Sequence, residues 1–205
     1  YINKEGVIQN KETFFYIGLL GATDLVRVQT GDYYLYDFKQ NEYVTSVGFD
    51  SISAQNGNVF LYREEGKVGV LDTAGKICVP NLYDTIVIET KRLQYFFLES
   101  DEKWGLRLLT KQLIPLTHDR LAFLDAKYLI AKSNGFEGIY DKNGNVIVPT
   151  NYLSLKTEIE EGDLVWPIIY QKSKKKNGLI AKNGKELKIP KHKQLRYLKN
   201  GLFGY

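Results

Sequence analysis

Two histidines and three aspartates are the residues of this sequence best suited to chemistry, but their spacing argues against a catalytic or metal site. His118 and His192 lack the nearby His, Cys or carboxylate partners that a zinc site needs. We predict that both lie on the surface or in loops. Asp37, Asp72 and Asp141 carry a group able to act as a general acid or base, yet they occupy equivalent positions of a repeated pattern. A repeated position favours a structural role, so the sequence assigns no catalytic residue and no metal ligand.

Other signatures of enzymes and of cofactor sites are missing from the sequence as well. No glycine-rich phosphate loop follows a strand and opens a helix, which argues against nucleotide binding. The single cysteine, Cys78, has no partner for an internal disulfide, and the apolar run at residues 77–79 predicts a packed, inert thiol inside a strand. We therefore expect a protein that is not an enzyme and that holds no cofactor.

Charge is distributed unevenly along the chain. Residues 172–199 contain eleven Lys or Arg and one acidic residue, Glu186, whereas residues 1–171 contain 17 basic and 23 acidic residues. A basic surface of this kind attracts nucleic acid, acidic proteins or anionic glycans. The candidate binding patch consists of Lys172, Lys174, Lys175, Lys176, Lys191, Lys193, Arg196 and Lys199.

A structural role for the same lysines is the competing interpretation. Lysines at residues 174–176 suit a hairpin tip or an edge strand, where they prevent strands from associating edge to edge. The acidic stretch 158–163 lies in the same repeat and would neutralise the patch. Its carboxylates also suit a cation, although their spacing does not match an EF-hand loop. Tyr170 and Tyr197 are placed to stack beside the patch.

The chain repeats itself, and the repeat decides the fold prediction. Residues 67–86 are echoed by residues 136–155, with Gly, Asp, a turn Gly, Val-Pro and Tyr at matching places. Looser copies start at Lys103 and Lys176. Steps of 36, 33 and 40 residues separate the anchor glycines, which are Gly69, Gly105, Gly138 and Gly178. The unit is therefore about 35 residues long.

Turn residues divide each unit into strands. Asp72 or Asp141 starts a turn, because its carboxylate can accept backbone N–H groups two residues ahead. A glycine at 75, 144 or 184 then supplies the positive φ of a tight hairpin. We predict that the second strand ends at a proline, which has no N–H to donate within a sheet. The prolines concerned are Pro80, Pro115, Pro149 and Pro190. A further apolar strand leads to the next anchor glycine, so each unit is predicted to have three strands.

Composition supports one all-β array. Hydrophobic residues make up 43% of the sequence, with 15 Tyr, 10 Phe and no Met, a mixture that favours strands over helices. We predict a single array over residues 1–205, with weaker copies in 1–62, clearer copies in 66–198 and the start of a further copy in 199–205. The longest apolar run is far shorter than the roughly 20 residues of a transmembrane helix, so no transmembrane segment is predicted. Because the sequence opens at Tyr1 without a secretion signal, we expect a processed chain or a piece of a larger protein.

The repeat also resembles a known family. Residues 103–106 (KWGL), together with the Asp, Gly-Lys, Ile-Val-Pro and Tyr-Asp elements of the units, resemble the bacterial WG repeat family. The resemblance is clearest over residues 66–195 and weaker upstream. The Trp-Gly dipeptide occurs once, because Val68, Glu137 and Asn177 stand at the matching positions. This resemblance implies a β-rich interaction array and no particular reaction.

We therefore predict an all-β fold, in which units of a β-hairpin plus a third strand stack as a solenoid-like or meandering superhelix. A β-propeller is the alternative, although its blades usually have four strands and roughly 40 to 45 residues. For function we predict a non-catalytic protein-interaction or scaffold module, with another protein as partner. One alternative is binding of an anionic polymer, a nucleic acid or a cell-envelope glycan, through residues 172–199. The other is a role as the accessory region of a larger enzyme.

Overall fold

The computed structural model describes residues 13–20, 25–55, 59–89, 92, 94–173, 176–187, 195–199 and 202–204. Their regular secondary structure is entirely β-strand, and the strands pair antiparallel in small sheets, so the predicted all-β fold is confirmed. No helix among these residues is long and apolar enough to span a membrane. The chain divides into two compact units, one made of residues 1–101 and 107–111, the other of residues 102–106 and 112–205.

The first unit contains two four-stranded sheets and a further strand pair. Its strands are β1 (Tyr16–Leu19), β2 (Leu25–Gln29), β3 (Tyr33–Asp37), β4 (Glu42–Tyr43), β5 (Ser51–Gln55), β6 (Val59–Glu64), β7 (Lys67–Asp72), β8 (Ile77–Tyr83), β9 (Thr85–Ile88) and β10 (Phe96–Ser100). Strands β1 to β4 form one sheet in chain order, and β5 to β8 form the next. Leu35 of β3 packs with Ile52, Phe60 and Leu71 of the second sheet in one buried core.

The second unit contains two more four-stranded sheets. Its strands are β11 (Lys103–Arg107), β12 (Gln112–His118), β13 (Arg120–Phe123), β14 (Tyr128–Ser133), β15 (Phe136–Asp141), β16 (Val146–Tyr152), β17 (Ser154–Lys156), β18 (Ile159–Glu160), β19 (Asp163–Leu164), β20 (Ile168–Ser173), β21 (Lys176–Ile180), β22 (Glu186–Leu187), β23 (Arg196–Lys199) and β24 (Leu202–Gly204). The sheet orders are β13-β14-β15-β16 and β17-β20-β21-β22, and β18–β19 and β23–β24 are separate pairs. Ile139 and Val148 of the first sheet share a core with Ile168 and Ile180 of the second.

The repeat is more regular in the structure than in the sequence. The first strands of successive sets begin, 34 or 35 residues apart, at Tyr16, Ser51, Thr85, Arg120 and Ser154. Each set has four strands, one more than the three predicted, because the first strand is short and carries little pattern of its own. In the last full set, the hairpin β18–β19 is inserted between β17 and β20. This insertion accounts for the long step between Gly138 and Gly178.

Prolines lie inside the fourth strands, so the prediction that they end strands is wrong. Pro80, Pro115 and Pro149 are exposed interior residues of β8, β12 and β16. These are edge strands, where a residue without an N–H group disrupts no ladder hydrogen bond. In β8 and β16 the register with the neighbouring strand also shifts around the proline. Pro190 lies outside the described residues.

The predicted turn chemistry is confirmed. Oδ1 of Asp141 accepts the N–H groups of Asn143 and Asn145 at 2.9 and 2.8 Å. Asp72 and Asp37 hold their own turns with the same kind of bond. The turn glycines have φ values of 74°, 88° and 78° at Gly75, Gly144 and Gly184. The three aspartates are therefore structural.

The turn glycines also lie against the backbone of the preceding set of strands. A Cβ atom at Gly75 would lie 2.7 Å from the carbonyl oxygen of Val44. A Cβ atom at Gly144 would lie closer still to the carbonyl oxygen of Leu113, and Gly184 is equally confined. These separations are well inside van der Waals contact, so a side chain would push neighbouring strands apart. Each glycine thus closes its own hairpin and sets the spacing to the strands before it.

Two of the four anchor glycines, Gly69 and Gly178, make room for tyrosine rings. Tyr62 faces Gly69 across β6 and β7, and Tyr170 faces Gly178 across β20 and β21. A Cβ atom on either glycine would collide with the ring. Each ring therefore crosses over its glycine toward the fourth strand, where the Tyr62 hydroxyl lies 3.5 Å from Oδ1 of Asn81.

We expect Gly144→Ala to destabilise the protein by about 3 kcal/mol, of which about 1 kcal/mol is the cost of a positive φ and the rest is overpacking. Gly135→Ala is the matched control. Its φ is 81°, against 88° at Gly144, but no atom lies within 4 Å of the added methyl group. Urea unfolding of both variants measures the difference. Equal destabilisation by the two substitutions would contradict the close approach.

Candidate functional site

The inserted hairpin, β18 and β19, is held in place by Asp125. This carboxylate is 6% exposed. Its Oδ1 accepts the N–H groups of Lys127 and Tyr128 at 2.6 and 2.8 Å, and its Oδ2 accepts that of Leu164 at 2.7 Å. The Nζ atom of Lys127 also lies 2.7 Å from Oδ1 of Asp163. The hairpin is therefore fixed to the turn between β13 and β14, and part of the predicted acidic stretch serves this attachment.

A cavity of about 190 Å³ opens beside the inserted hairpin, and we call it the hairpin cavity. Its walls come from the end of β17, from both sides of the hairpin, from β20 and from β23. The lining residues are Lys156, Glu158, Val165, Pro167, Ile169, Arg196 and Tyr197. The cavity thus combines an apolar wall with three charged side chains.

A small hydrophobic cluster brings β23 to the cavity. Ile169 is buried together with Leu179 and Leu195. Side chains alternate along a strand, so Ile169 lies on the face of β20 opposite Tyr170, which belongs to the main core. Leu195 immediately precedes Arg196, so the packing of Leu195 places the start of β23 at the cavity.

The charged side chains of the cavity are unpaired within the described part of the chain. Lys156, Glu158 and Arg196 are exposed, and no side-chain hydrogen bond or ion pair of theirs is found among the described residues. The ion pairs seen elsewhere join Lys67 to Asp84, Lys103 to Asp119, Lys127 to Asp163 and Lys172 to Glu186. Two cations and one anion are thus free to interact with a ligand.

The paired aspartates, by contrast, tie the repeats together. Oδ2 of Asp119 accepts the N–H group of Asn134 at 2.6 Å, and its other oxygen binds Lys103. The hydrogen bond from Lys103 holds the pKa of Asp119 below its usual value. In the first unit Asp84 makes the equivalent contacts and has a lowered pKa for the same reason. These carboxylates are structural acceptors whose ionised form is favoured by the lysine beside them.

A second polar cluster surrounds Glu186 and joins two sheets of the second unit. Oε1 of Glu186 accepts the hydroxyl of Tyr152 at 2.9 Å and the Nζ group of Lys172 at 3.0 Å, and Oε2 accepts the hydroxyl of Tyr170 at 2.9 Å. Tyr152 and Tyr170 are buried, and their rings meet edge to face with centroids 5.1 Å apart. Tyr152 belongs to β16 and the other residues to the next sheet, so the cluster links both.

The protonation states of this cluster leave no group suited to acid–base catalysis. The hydrogen bond from Lys172, with those from the two tyrosines, lowers the pKa of Glu186 to about 2. Burial and the bond to Glu186 raise the pKa of Tyr170 to about 12 and that of Tyr152 beyond it. At neutral pH the carboxylate stays ionised and both phenols stay protonated. The cluster is a structural junction.

We expect Glu186 to make stability sensitive to acid. Its pKa in the folded state lies below the ordinary value of 4.5, so its contribution is complete above pH 4.5 and is lost as pH falls toward 2. A unit of pKa shift corresponds to about 1.4 kcal/mol, and partial exposure reduces this, so the loss should be about 2 kcal/mol.

Urea unfolding at pH 5.5, 4.0 and 3.0 measures this effect in the wild type and in Glu186→Gln. The variant should show a flatter dependence on pH than the wild type does. Glu161→Gln, at an exposed turn position, removes one carboxylate elsewhere and is the control. A wild-type slope in Glu186→Gln would show that the cluster does not contribute in this way.

The residues of the predicted basic patch have different surroundings. Lys172 is half-buried in the Glu186 cluster, whereas Arg196 is exposed and lines the hairpin cavity. Lys176 and Lys199 lie in β21 and β23, but their side chains are outside the described part. The remaining members, Lys174, Lys175, Lys191 and Lys193, lie outside the described residues. The patch as a whole stays a prediction.

His118 is a core residue, so the prediction of a surface or loop position is wrong for it. The side chain is 4% exposed at the end of β12. Its Nδ1 atom lies 2.7 Å from Oγ of Ser133, and its ring meets the edge of Tyr140. Its buried Nε2 atom has no hydrogen-bond partner among the described residues. Burial lowers the pKa of the imidazole, with Asp119 opposing the shift. His192 lies outside the described residues.

We expect stability to fall as the pH drops from 7.5 to 5.5, because His118 is buried in its neutral form. A base with a lowered folded pKa stabilises the fold above its unfolded pKa, near 6.5, and this contribution is lost below it. His118→Tyr introduces the residue found at the matching ends of β8 and β16, Tyr83 and Tyr152. That variant should lose most of the dependence, while His192→Gln should keep it, as measured by thermal unfolding. Unchanged pH dependence in His118→Tyr would refute the assignment.

Metal and thiol chemistry find little support in the described part of the chain. No group of three or more His, Cys, Asp or Glu side chains is arranged there to hold a metal ion. Cys78 lies in β8, as predicted, but it is half-buried rather than packed. Its Sγ atom lies 3.7 Å from Oδ2 of Asp72, and burial raises the pKa of the thiol. A thiol with a raised pKa is a poor nucleophile.

Sequence reasoning missed most of the hairpin cavity. Arg196, Tyr197 and the acidic stretch that begins at Glu158 were candidates, but Lys156 and the apolar wall were not, and only the fold brings these residues to one site. A further signal was the 40-residue step between the anchor glycines Gly138 and Gly178, which is longer than the other steps. Insertions in repeat proteins often form the binding face.

Comparisons with known proteins give no functional assignment. No family model matches the sequence, and no curated protein sequence matches it. The computationally designed Ika8 protein is 12% identical, with a TM-score of 0.37, 93% of this chain and 68% of that chain covered. The WD40 β-propeller domain of Doa1 is 15% identical, with a TM-score of 0.30 over 91% and 73% of the two chains. BamB from Moraxella catarrhalis is 13% identical, with a TM-score of 0.31 over 94% and 71%. Similarities this low carry no conclusion about function.

Proposed function

We propose that this chain is a non-catalytic interaction module that binds a segment of another protein at the hairpin cavity. One observation carries the proposal: Lys156, Glu158 and Arg196 line a cavity with an apolar wall and are unpaired among the described residues. Charged groups beside an apolar surface favour a ligand that supplies both opposite charge and apolar contact.

The structural use of the other ionisable groups argues against catalysis. Asp72 and Asp141 hold turns, Asp125 holds the inserted hairpin, and Glu186 joins two sheets. Catalysis needs a nucleophile or an acid and a base with proton affinities tuned to the working pH. Carboxylates that are already occupied by these structural hydrogen bonds do not meet that need. The resemblance to WG repeats is consistent with an interaction role.

The cavity by itself is too small to account for a stable complex. Stable protein–protein interfaces bury about 1,200 to 2,000 Å² in total, so a partner must also contact the surface around the cavity. Binding energy in such interfaces is concentrated in a few central residues. The hairpin cavity has the size and chemistry to receive one of these residues.

Affinity capture with cavity variants tests this function. The chain is used as bait in native lysate at low and high salt, as wild type and as Lys156→Glu/Arg196→Glu. The control is Lys132→Glu/Lys182→Glu, which makes the same change of charge at two exposed lysines outside the cavity. We expect a protein that is retained by the wild type and by the control, and retained at least tenfold less by the cavity variant.

Retention that does not depend on the cavity residues would overturn the proposal. A nucleic acid or glycan that is lost at high salt, and lost equally from both variants, would move the function to the basic segment 172–199. The captured protein is then purified, and its affinity for the wild type and each variant is measured by calorimetry.

A further inference from the structure

We infer that the hairpin cavity binds the carboxyl terminus of a partner protein whose last residue is apolar. The inference rests on the proposed interaction function and specifies its ligand. It depends on three properties of the cavity, which are its size, the arrangement of its charges and its apolar wall.

The size of the cavity limits the ligand to about one amino-acid residue. The cavity has a volume of about 190 Å³. Pockets for drug-sized ligands and cofactors are larger, at about 300 to 1,000 Å³. A nucleotide or an oligosaccharide would therefore extend well beyond the cavity, whereas a single residue at the end of a chain matches its size.

The charges favour an anion with a hydrogen-bond donor beside it. Lys156 and Arg196 are suited to a carboxylate, and the planar guanidinium of Arg196 can donate two parallel hydrogen bonds to its oxygens. Glu158 is an acceptor at the same cavity, and the N–H group of a terminal residue lies one bond from the carbon that carries the carboxylate. Glu158 would also repel a second carboxylate, so it disfavours a terminal Asp or Glu.

The apolar wall decides between a chain terminus and an acidic side chain. Val165, Pro167 and Ile169 form a hydrocarbon surface at the same cavity as the two cations. A terminal apolar residue carries a carboxylate and a hydrocarbon side chain on one carbon atom, and therefore satisfies both parts of the cavity. An internal Asp or Glu brings only the carboxylate, and leaves the apolar wall uncovered.

Titration with short peptides, followed by NMR, tests the inference. The readout is the backbone N–H signals of Val165 and Ile169, two residues that line the cavity. The probe is N-acetyl-alanyl-leucine. Its comparison peptides are the C-terminal amide, N-acetyl-alanyl-glycine and N-acetyl-aspartyl-leucinamide.

We expect saturable binding of N-acetyl-alanyl-leucine with a Kd on the order of 1 mM, as befits so small a ligand. Each comparison peptide should bind at least tenfold more weakly. Arg196→Gln and Lys156→Gln should each weaken the probe about tenfold, whereas Lys182→Gln should not. Signals far from the cavity, unchanged in the variants, show that folding is intact.

Equal binding of the acid and its amide, or no saturable shift with any peptide, would overturn the inference. Binding of the aspartyl amide as tightly as the probe would assign the site to acidic side chains instead. The capture experiment separates these failures from failure of the function. If the captured protein still depends on Lys156 and Arg196 but binds equally well with its C-terminus amidated, the function stands and the inference fails.

Discussion

The close approach of each hairpin turn to the backbone of the preceding strands controls how neighbouring sheets pack. A four-stranded sheet of short strands has too little apolar area to form a core alone, so it must pack against a neighbour. Only glycine at 144 or 184 allows this packing, because the Cβ atom of any other residue would collide with a carbonyl oxygen of the preceding strands. The turn aspartate is equally necessary, since its carboxylate holds the loop in the conformation that presents the glycine. Once the backbones are this close, Ile139 and Ile168 of neighbouring sheets can share one core.

Polar side chains satisfy the backbone groups that this packing exposes. A turn leaves N–H groups without strand partners, and burying them unsatisfied is costly. Three aspartates accept these groups. Asp125 and Asp141 each accept two or more backbone N–H groups, and Asp119 accepts one N–H group and the ammonium group of Lys103. Glu186 likewise accepts the hydroxyl groups of two buried tyrosines, Tyr152 and Tyr170. Repetition leaves the same turn N–H groups without strand partners in every unit. The carboxylates that are candidates for catalysis therefore act as hydrogen-bond acceptors for the fold.

The predictability of each feature depended on whether its cause was local. The turns at Asp72 and Asp141 could be predicted because a carboxylate and a glycine at fixed offsets determine them. The positions of Pro80 and Pro149 could not, since a proline is excluded from central strands but tolerated at an edge, and edge position is a property of the assembled sheet. His118 lacks the pattern of a core residue. Only its equivalence with Tyr83 and Tyr152, which end the matching strands, indicates an inward-facing side chain. The basic segment contributed Arg196 to the candidate site, but Lys156 and Glu158 are brought to it by the pairing of β17 with β20.

A regular array offers the same surface several times, so a single specific site requires a departure from the repeat. Here the departure is the inserted hairpin, and its attachment through Asp125 and Lys127 gives it a defined position before any ligand binds. Such preorganisation matters because ordering a loop on binding would consume part of the interaction energy. Lys156 and Arg196 remain hydrated while the cavity is empty, so leaving them unpaired costs the fold little. The cost of removing water from these two side chains arises only when a ligand binds. A ligand of opposite charge compensates for that cost, whereas a neutral apolar ligand of the same shape does not. We therefore expect the cavity to favour an anionic group that carries its own hydrocarbon.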